Sequence, residues 1–289
     1  MSTLADVHQV LLKLLSEFSR VCNANNLEWF LDAGSLLGLM RDGKLIDWDD
    51  DADIVMPRAS YNKLLALSSE FKHPFFLQTP LTDENYFSIS IKLRYSDSAM
   101  LSLQELPFKF NKGICIDILP LDSIPEDEKE LALYQNLTKL FTGRLSMRFE
   151  SHKEVNPLLC NHKLNFQTIF NCWNECMTAM DEMYSSSKYY GSSACWWSSK
   201  YKDTKLNKQA YSSALKNYEM TKEPMNVPVG WKDILEAWYG DTWSIPRHEA
   251  SCHSFLNRIL YDTTKSYKDY LNMDEEELKA LILSKGLSL

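Results

Sequence analysis

Five aspartates fall within seven positions at the mouth of an apolar run: Asp47, Asp49, Asp50, Asp51 and Asp53, in "LIDWDDDADIVM". Carboxylates repel one another, so a fold that crowds them loses stability unless something offsets the charge. Any fold open to this chain has to bring that compensation to one end of one strand. "DADIVM" predicts the strand, and alternation puts Asp51 and Asp53 on one face with Ala52 and Ile54 on the other. Two carboxylates on one face suit a hard divalent cation. Mg²⁺, or Mn²⁺ in its place, takes oxygen ligands and keeps water and substrate phosphates in its shell. Asp47, Asp49 and Asp50 precede the strand, where a solvated turn is the plainer reading, with Asp49 the most ambiguous.

The residues just upstream point the same way. "EWFLDA" predicts a short strand, and "GSLLGLMRDG" a helix that opens at Gly34-Ser35 and stops at Gly43. A helix N-terminus offers free N–H groups and a positive dipole to phosphate. Gly34 lets a phosphate approach the backbone, and Ser35 adds a hydroxyl donor. A strand, a Gly-Ser helix start and a strand bearing D-x-D are the layout of a metal-dependent phosphoryl-group transferase.

Further along, "ICIDILPLD" sets Asp117 in an otherwise apolar strand, where an unpaired charge is expensive. Asp117 therefore either completes the metal site or acts as general base, and whether it or Asp49 is the further ligand stays open. Asp122, beyond Pro120, suits a turn or a helix cap. Lys92 and Arg94 in "SIKLRYS" share one strand face, ready either to hold a phosphate or to form surface ion pairs. Trp48 reads as a packing residue that props the acidic turn.

Strand and helix patterns interleave through residue 125 or so, which predicts an α/β or α+β core. The chain reads as a single unit over 1–289, with a core over 1–125 and a mostly helical remainder over 126–289. In that remainder "EDEKELALYQNLTKLF", "FQTIFNCWNECMTAMDEMY", "WKDILEAWYG" and "MDEEELKALILSKG" predict helices, and Cys195, Trp196 and Trp197 a buried strand. A hydrophobic content of 45% supports a large core, and a net charge of −8 leaves no footprint for nucleic acid. The opening "MSTLADVHQV" lacks the pattern of a signal peptide, and no apolar run is long enough to span a bilayer. The seven scattered cysteines favour reduced thiols. The expected location is the cytoplasm, with peripheral association at the inner face of the membrane left open.

These motifs together carry a family likeness. "GSLLGLMRDGKLIDWDDDADIVM" resembles the signature of the LicD/fukutin family, within the nucleotidyltransferase superfold. "IKLRYSDS" resembles that family's basic strand followed by a hydroxyl residue, here Ser98. "IDILPLD" and "VPVGWKDILEAWYGDTWSIP" resemble its later motifs, and His253 stands where a closing His is usual. The resemblance implies a nucleotidyltransferase-like mixed sheet flanked by helices. It implies transfer of a phospho-alcohol group, such as phosphocholine, from a CDP-linked donor onto a glycan or lipid-linked glycan. By motif match, Asp51 and Asp53 would hold the metal, with Asp117 in the same cleft. Gly34 and Ser35 would contact the donor phosphate, with Lys92 and Arg94 stabilising charge. The rival readings are nucleotidyl transfer, a D-x-D glycosyltransferase using a nucleotide sugar, and a non-catalytic binding module.

Overall fold

The structure is a computed structural model that describes residues 2–86, 88–102, 105, 108–138, 166–191, 205–218, 220–246 and 259–284. It opens with helix α1 (Leu4–Ala24), started by a reciprocal cap: Thr3 Oγ1 accepts from the Asp6 N–H at 3.2 Å, and Asp6 Oδ2 accepts from the Thr3 N–H at 2.7 Å. Val7, Leu11, Leu14, Phe18 and Val21 recur at helical spacing and are all buried. Strand β1 (Phe30–Leu31) follows, then helix α2 (Ala33–Asp42), which Gly43 ends at φ 70°, a left-handed conformation suited to glycine. Strand β2 (Asp53–Pro57) leads into helix α3 (Arg58–Leu65). Strands β3 (Phe75–Gln78), β4 (Ile91–Tyr95), β5 (Ala99–Ser102) and β6 (Ile114–Ser123) complete the first half.

The main sheet runs β1-β2-β6-β4-β3. β2 and β6 are parallel, while β1, β4 and β3 each pair antiparallel with their neighbours. Helix α1 lies against β6 and β4. The fold is α+β, one of the two classes that the interleaved pattern allows, and its sheet is mixed, as the family resemblance implies.

The second half is less purely helical than its pattern suggests. Residues 128–138, Phe166–Met183, Trp231–Tyr239 and Glu275–Ser284 are helical. Strands β7 (Tyr189–Gly191) and β8 (Leu206–Asn207) extend the main sheet beyond the far end of β6. Strands β9 (Ala214–Tyr218) and β10 (Met225–Pro228) form a hairpin-like pair, and β11 (Ile259–Asp262) pairs with β5. These strands are two to five residues long, so alternation is too brief to mark them. Cys195, Trp196, Trp197 and His253 lie outside the described residues.

Asp122 is neither a turn nor a cap residue. It sits inside β6, fully buried, and accepts from Arg58 Nε at 2.5 Å and Nη2 at 2.8 Å. The Arg58 guanidinium also donates to Asn174 Oδ1 at 3.0 Å and lies 5.1 Å and 5.0 Å from the ring centroids of Tyr61 and Trp173. The pair clamps α3 and the helix Phe166–Met183 to β6. Removing one member leaves an uncompensated buried charge, which typically costs about 3–5 kcal/mol. Asp122→Leu should lower unfolding stability on that scale in urea titrations. Arg58→Met combined with Asp122→Leu should lose less than Asp122→Leu alone. A double variant that loses as much would mean the charge pairing contributes nothing.

Candidate active site

The register of the central strands brings four polar side chains into one row. Asp53 on β2 lies opposite Asp117 on β6, Asp117 opposite Lys92 on β4, and Lys92 opposite Gln78 on β3. Residues directly opposite share a face of the sheet. The Lys92 ammonium meets Asp117 Oδ1 at 2.5 Å and Oδ2 at 2.7 Å, and Ser90 Oγ donates to Asp117 Oδ1 at 2.8 Å. Burial would raise the Asp117 pKa, but the charge and hydrogen bonds of Lys92 and Ser90 override it and hold the carboxyl below its ordinary value. Burial likewise works against the Lys92 charge, and Asp117 overcomes it.

Asp51 is not on the strand. β2 begins at Asp53, and Asp51 and Ala52 form its extended lead-in. The lead-in is tied down by backbone bonds: the Asp117 N–H donates to the Ala52 carbonyl at 2.9 Å, and the Asp32 N–H to the Asp53 carbonyl at 3.1 Å. Asp49, Asp50 and Asp51 each offer a carboxylate oxygen within 4.8 Å of the others. The acidic turn therefore lies beside the Asp53 end of the row. Asp47 points away, exposed, and meets Lys44 at 2.6 Å. Trp48 is half-buried against the core, with the Arg41 guanidinium 5.8 Å from its ring centroid.

The compensation that these carboxylates require is visible in their protonation. Burial first, and then the charge of Asp51, pushes Asp49 up to about 9. Burial and the charges of Asp50 and Asp117 push Asp51 up to about 6. Asp53 is driven well above its ordinary value by burial and by Asp51, Asp117, Asp49 and Asp32. Without a cation, protons offset part of the repulsion. Oxygen donors crowded in this way fit a hard divalent cation such as Mg²⁺.

Helix α2 starts at the same point. The chain enters it through Ala33 at φ 44°, a left-handed conformation that costs an L-residue about 1–2 kcal/mol. Asp32, at the N-cap, is buried and pushed up to about 6 by that burial, against the opposing pull of the Ala33 N–H and of Trp238. Gly34 serves a close approach, since a Cβ there would lie 2.4 Å from Asp49 Oδ2. The space beside Gly34 is thus filled by the acidic turn rather than left open. Ser35 is buried, and its Oγ accepts from the Asp53 N–H at 3.0 Å, joining the first turn of α2 to the start of β2.

Two of the basic-strand residues are committed internally. Arg94 is buried and donates to Gln78 Oε1 at 2.6 Å and to the Gly113 carbonyl at 2.8 Å. Ser98 Oγ donates to the Tyr95 carbonyl at 2.7 Å and accepts from the Ile114 N–H at 2.9 Å. Both brace the sheet beneath the row. A cavity of about 420 Å³ opens at the other end of β3 and β4, among His73, Phe76, Tyr267 and Lys268, and includes none of the acidic cluster.

Sequence reasoning missed four side chains here. Asp32 had a local signal, an Asp directly ahead of the Gly-Ser helix start. His8 Nε2–H donates to the Asp49 carbonyl at 2.7 Å, Trp238 Nε1–H donates to Asp32 Oδ1 at 3.1 Å, and the Tyr261 hydroxyl donates to Asp50 Oδ2. These three contacts span 41, 206 and 211 residues of chain, a separation that no local pattern encodes.

The raised carboxyl pKa values set a pH dependence. The Asp49 carboxyl gives up its proton near 3.8 in an unfolded chain and near 9 when folded, so its contribution is fully present below about pH 4 and is lost as pH rises through about 9. In EDTA, the wild type should lose more unfolding stability between pH 5 and pH 8 than Asp49→Asn does. Equal losses in urea titrations at the two pH values would show that Asp49 is not protonated in the folded protein.

Residues 26–135, which span β1 through most of the helical segment 128–138, match the family model described as "LicD/FKTN/FKRP, nucleotidyltransferase domain". The chain is also similar to the lipopolysaccharide cholinephosphotransferase LicD of Haemophilus influenzae, with 26% identity over 157 residues, covering 53% of this chain and 55% of that protein. The chain thus spans about half the length of the curated relative it matches. Among the described residues, no helix is long and apolar enough to cross a membrane.

Proposed function

We propose, from the premise that residues 26–135 are a nucleotidyltransferase domain of the LicD/FKTN/FKRP family, that this protein is a phosphotransferase acting on a cell-surface glycan. The donor is a CDP-linked alcohol, and the group moved is a phospho-alcohol such as phosphocholine. The observation that carries the reading is the row Asp53–Asp117–Lys92, set beside the acidic turn and the start of α2. Phosphoryl transfer asks a protein mainly for positioning and for charge stabilisation, and the row supplies both.

Asp51 and Asp53 would hold Mg²⁺ or Mn²⁺, with Asp49 and Asp50 adding carboxylate oxygens that lie within 4.8 Å of one on Asp51. The cation, when bound, would neutralise charge on the donor diphosphate. The rest falls to this chain's own side chains. The partly exposed Lys92 ammonium would stabilise the negative charge that develops as the donor breaks down. Asp117, held ionised, keeps that ammonium in place. Gly34 leaves room for the Asp49 carboxylate at the helix start, and Ser35 sets the position of Asp53. In the reaction an acceptor hydroxyl oxygen bonds to the phosphorus that carries the alcohol. The bond from that phosphorus to the bridging oxygen breaks, and CMP leaves. The name of the Haemophilus relative supports choline as the alcohol and lipopolysaccharide as the type of acceptor.

The test is product analysis with CDP-choline, CDP-ribitol and CDP-glycerol in the presence of Mg²⁺ and a glycan acceptor. Free CMP with a phospho-alcohol on the acceptor is the expected result. A nucleotidylated acceptor would instead identify a nucleotidyltransferase. Asp51→Asn and Asp53→Asn should each lower kcat by about 100-fold or more, the scale seen when a group that stabilises transition-state charge is removed. Lys92→Met should act in the same direction. Near-normal turnover in both aspartate variants at saturating Mg²⁺ would remove the acidic cluster from the chemistry.

A further inference from the structure

The side chains that pin the acidic site from a distance all come from outside residues 26–135. His8 belongs to α1, Trp238 to the helix Trp231–Tyr239 and Tyr261 to β11. Two of them act on consecutive residues of one turn. His8 holds the backbone of Asp49, because a carbonyl can only accept and the ring nitrogen must donate. Tyr261 holds the side chain of Asp50. The two pins are themselves tied together. Ser2 Oγ and Thr263 Oγ1 are 2.8 Å apart, and the Thr263 N–H donates to Ser2 Oγ at 2.8 Å. The approach to α1 and the end of β11 therefore form one brace across the turn. The Tyr261 ring is buried at 8% exposure, and β11 is fixed in register by β5 through the pair Tyr261–Met100.

We infer that Tyr261 is a positioning residue for the divalent-cation site, its hydroxyl aiming the Asp50 carboxylate so that Asp49, Asp50 and Asp51 can present oxygens to one ion. The inference rests on the cation reading given under the proposed function. Three carboxylates within 4.8 Å repel one another, and Asp50 is half-buried, so a small rotation would take its oxygens out to water. A neutral donor on a rigid strand prevents that rotation while leaving the carboxylate charge available to an ion. Hydrogen-bond partners behind metal ligands typically change metal affinity by about 10–100-fold when removed. The brace also gives the segments outside the matched domain a definite task. They complete the geometry of a site whose ligands lie in the domain itself.

The experiment is Mn²⁺ binding to the full chain, read from the paramagnetic resonance signal of free Mn²⁺, with thermal midpoints recorded in EDTA. Tyr261→Phe removes the hydroxyl and keeps the ring. Tyr270→Phe is the control, because its hydroxyl donates to Asp262 Oδ2 at 2.7 Å, a carboxylate outside the cluster. Tyr261→Phe should raise the Mn²⁺ Kd by about 10–100-fold, while Tyr270→Phe binds like the wild type and both variants keep midpoints close to it. In an Asp50→Ala background, which removes the acceptor, adding Tyr261→Phe should cause no further loss, since the two changes act through one contact. Wild-type affinity in Tyr261→Phe overturns the inference, as does an additive loss in the Asp50→Ala background. A wild type that binds no Mn²⁺ is a separate outcome, which removes the cation reading and this inference with it.

Discussion

Mutual repulsion among buried carboxylates is the constraint around which this structure is arranged. Asp32, Asp49, Asp51 and Asp53 are all held above their ordinary pKa, burial being the first cause in each. Asp117, one strand away from Asp53, is held below it because the Lys92 ammonium lies against it. Across a single inter-strand step, roughly 4.8 Å, the Lys92 ammonium reverses the direction in which burial shifts a carboxyl pKa. Site chemistry of this kind comes from neighbours rather than from residue type.

Holding such a cluster requires rigid support from several directions, and the fold supplies it in layers. Backbone bonds to β1 and β6 fix Ala52 and Asp53, Ser35 caps the Asp53 N–H, and α2 starts against the Asp49 carboxylate. Beneath the row, Arg94 spends its guanidinium on Gln78 and Gly113. Gln78 in turn donates to Asp83 and to the Asn111 carbonyl. Arg94, Gln78 and Asn111 are buried, and this network stiffens the sheet where the row sits.

A second charged centre plays a different part. Arg58 and Asp122 form a bidentate pair in the interior, wrapped by Tyr61 and Trp173. The pair joins α3, β6 and the helix Phe166–Met183, and so anchors the second half of the chain to the parallel strands that carry Asp53 and Asp117. The first cluster concentrates like charges beside the start of β2, and the second neutralises opposite charges in the core.

Local pattern was enough for much of this protein. Helical spacing from Val7 to Val21 predicts α1, the Gly-Ser start and Gly43 bound α2, and the apolar runs around Ile54, Leu93 and Ile116 predict the central strands. The density of aspartates between Asp47 and Asp53 marked the candidate site, because charge crowded before an apolar strand demands an explanation from sequence alone. Side-chain assignments followed less well. Arg94 alternates with Lys92 as a strand predicts, yet its guanidinium turns inward to Gln78, and Asp122 proved to be the partner of a residue 64 positions away. The row Asp53–Asp117–Lys92 depends on strand register. His8, Trp238 and Tyr261 depend on contacts across 41 to 211 residues. Periodicity and turn chemistry are written in neighbouring residues, so the sequence by itself determined the elements and the place of the acidic turn. Register and long-range pairing arise only when those elements pack, so the tertiary structure decided which carboxylates stay charged and what holds them.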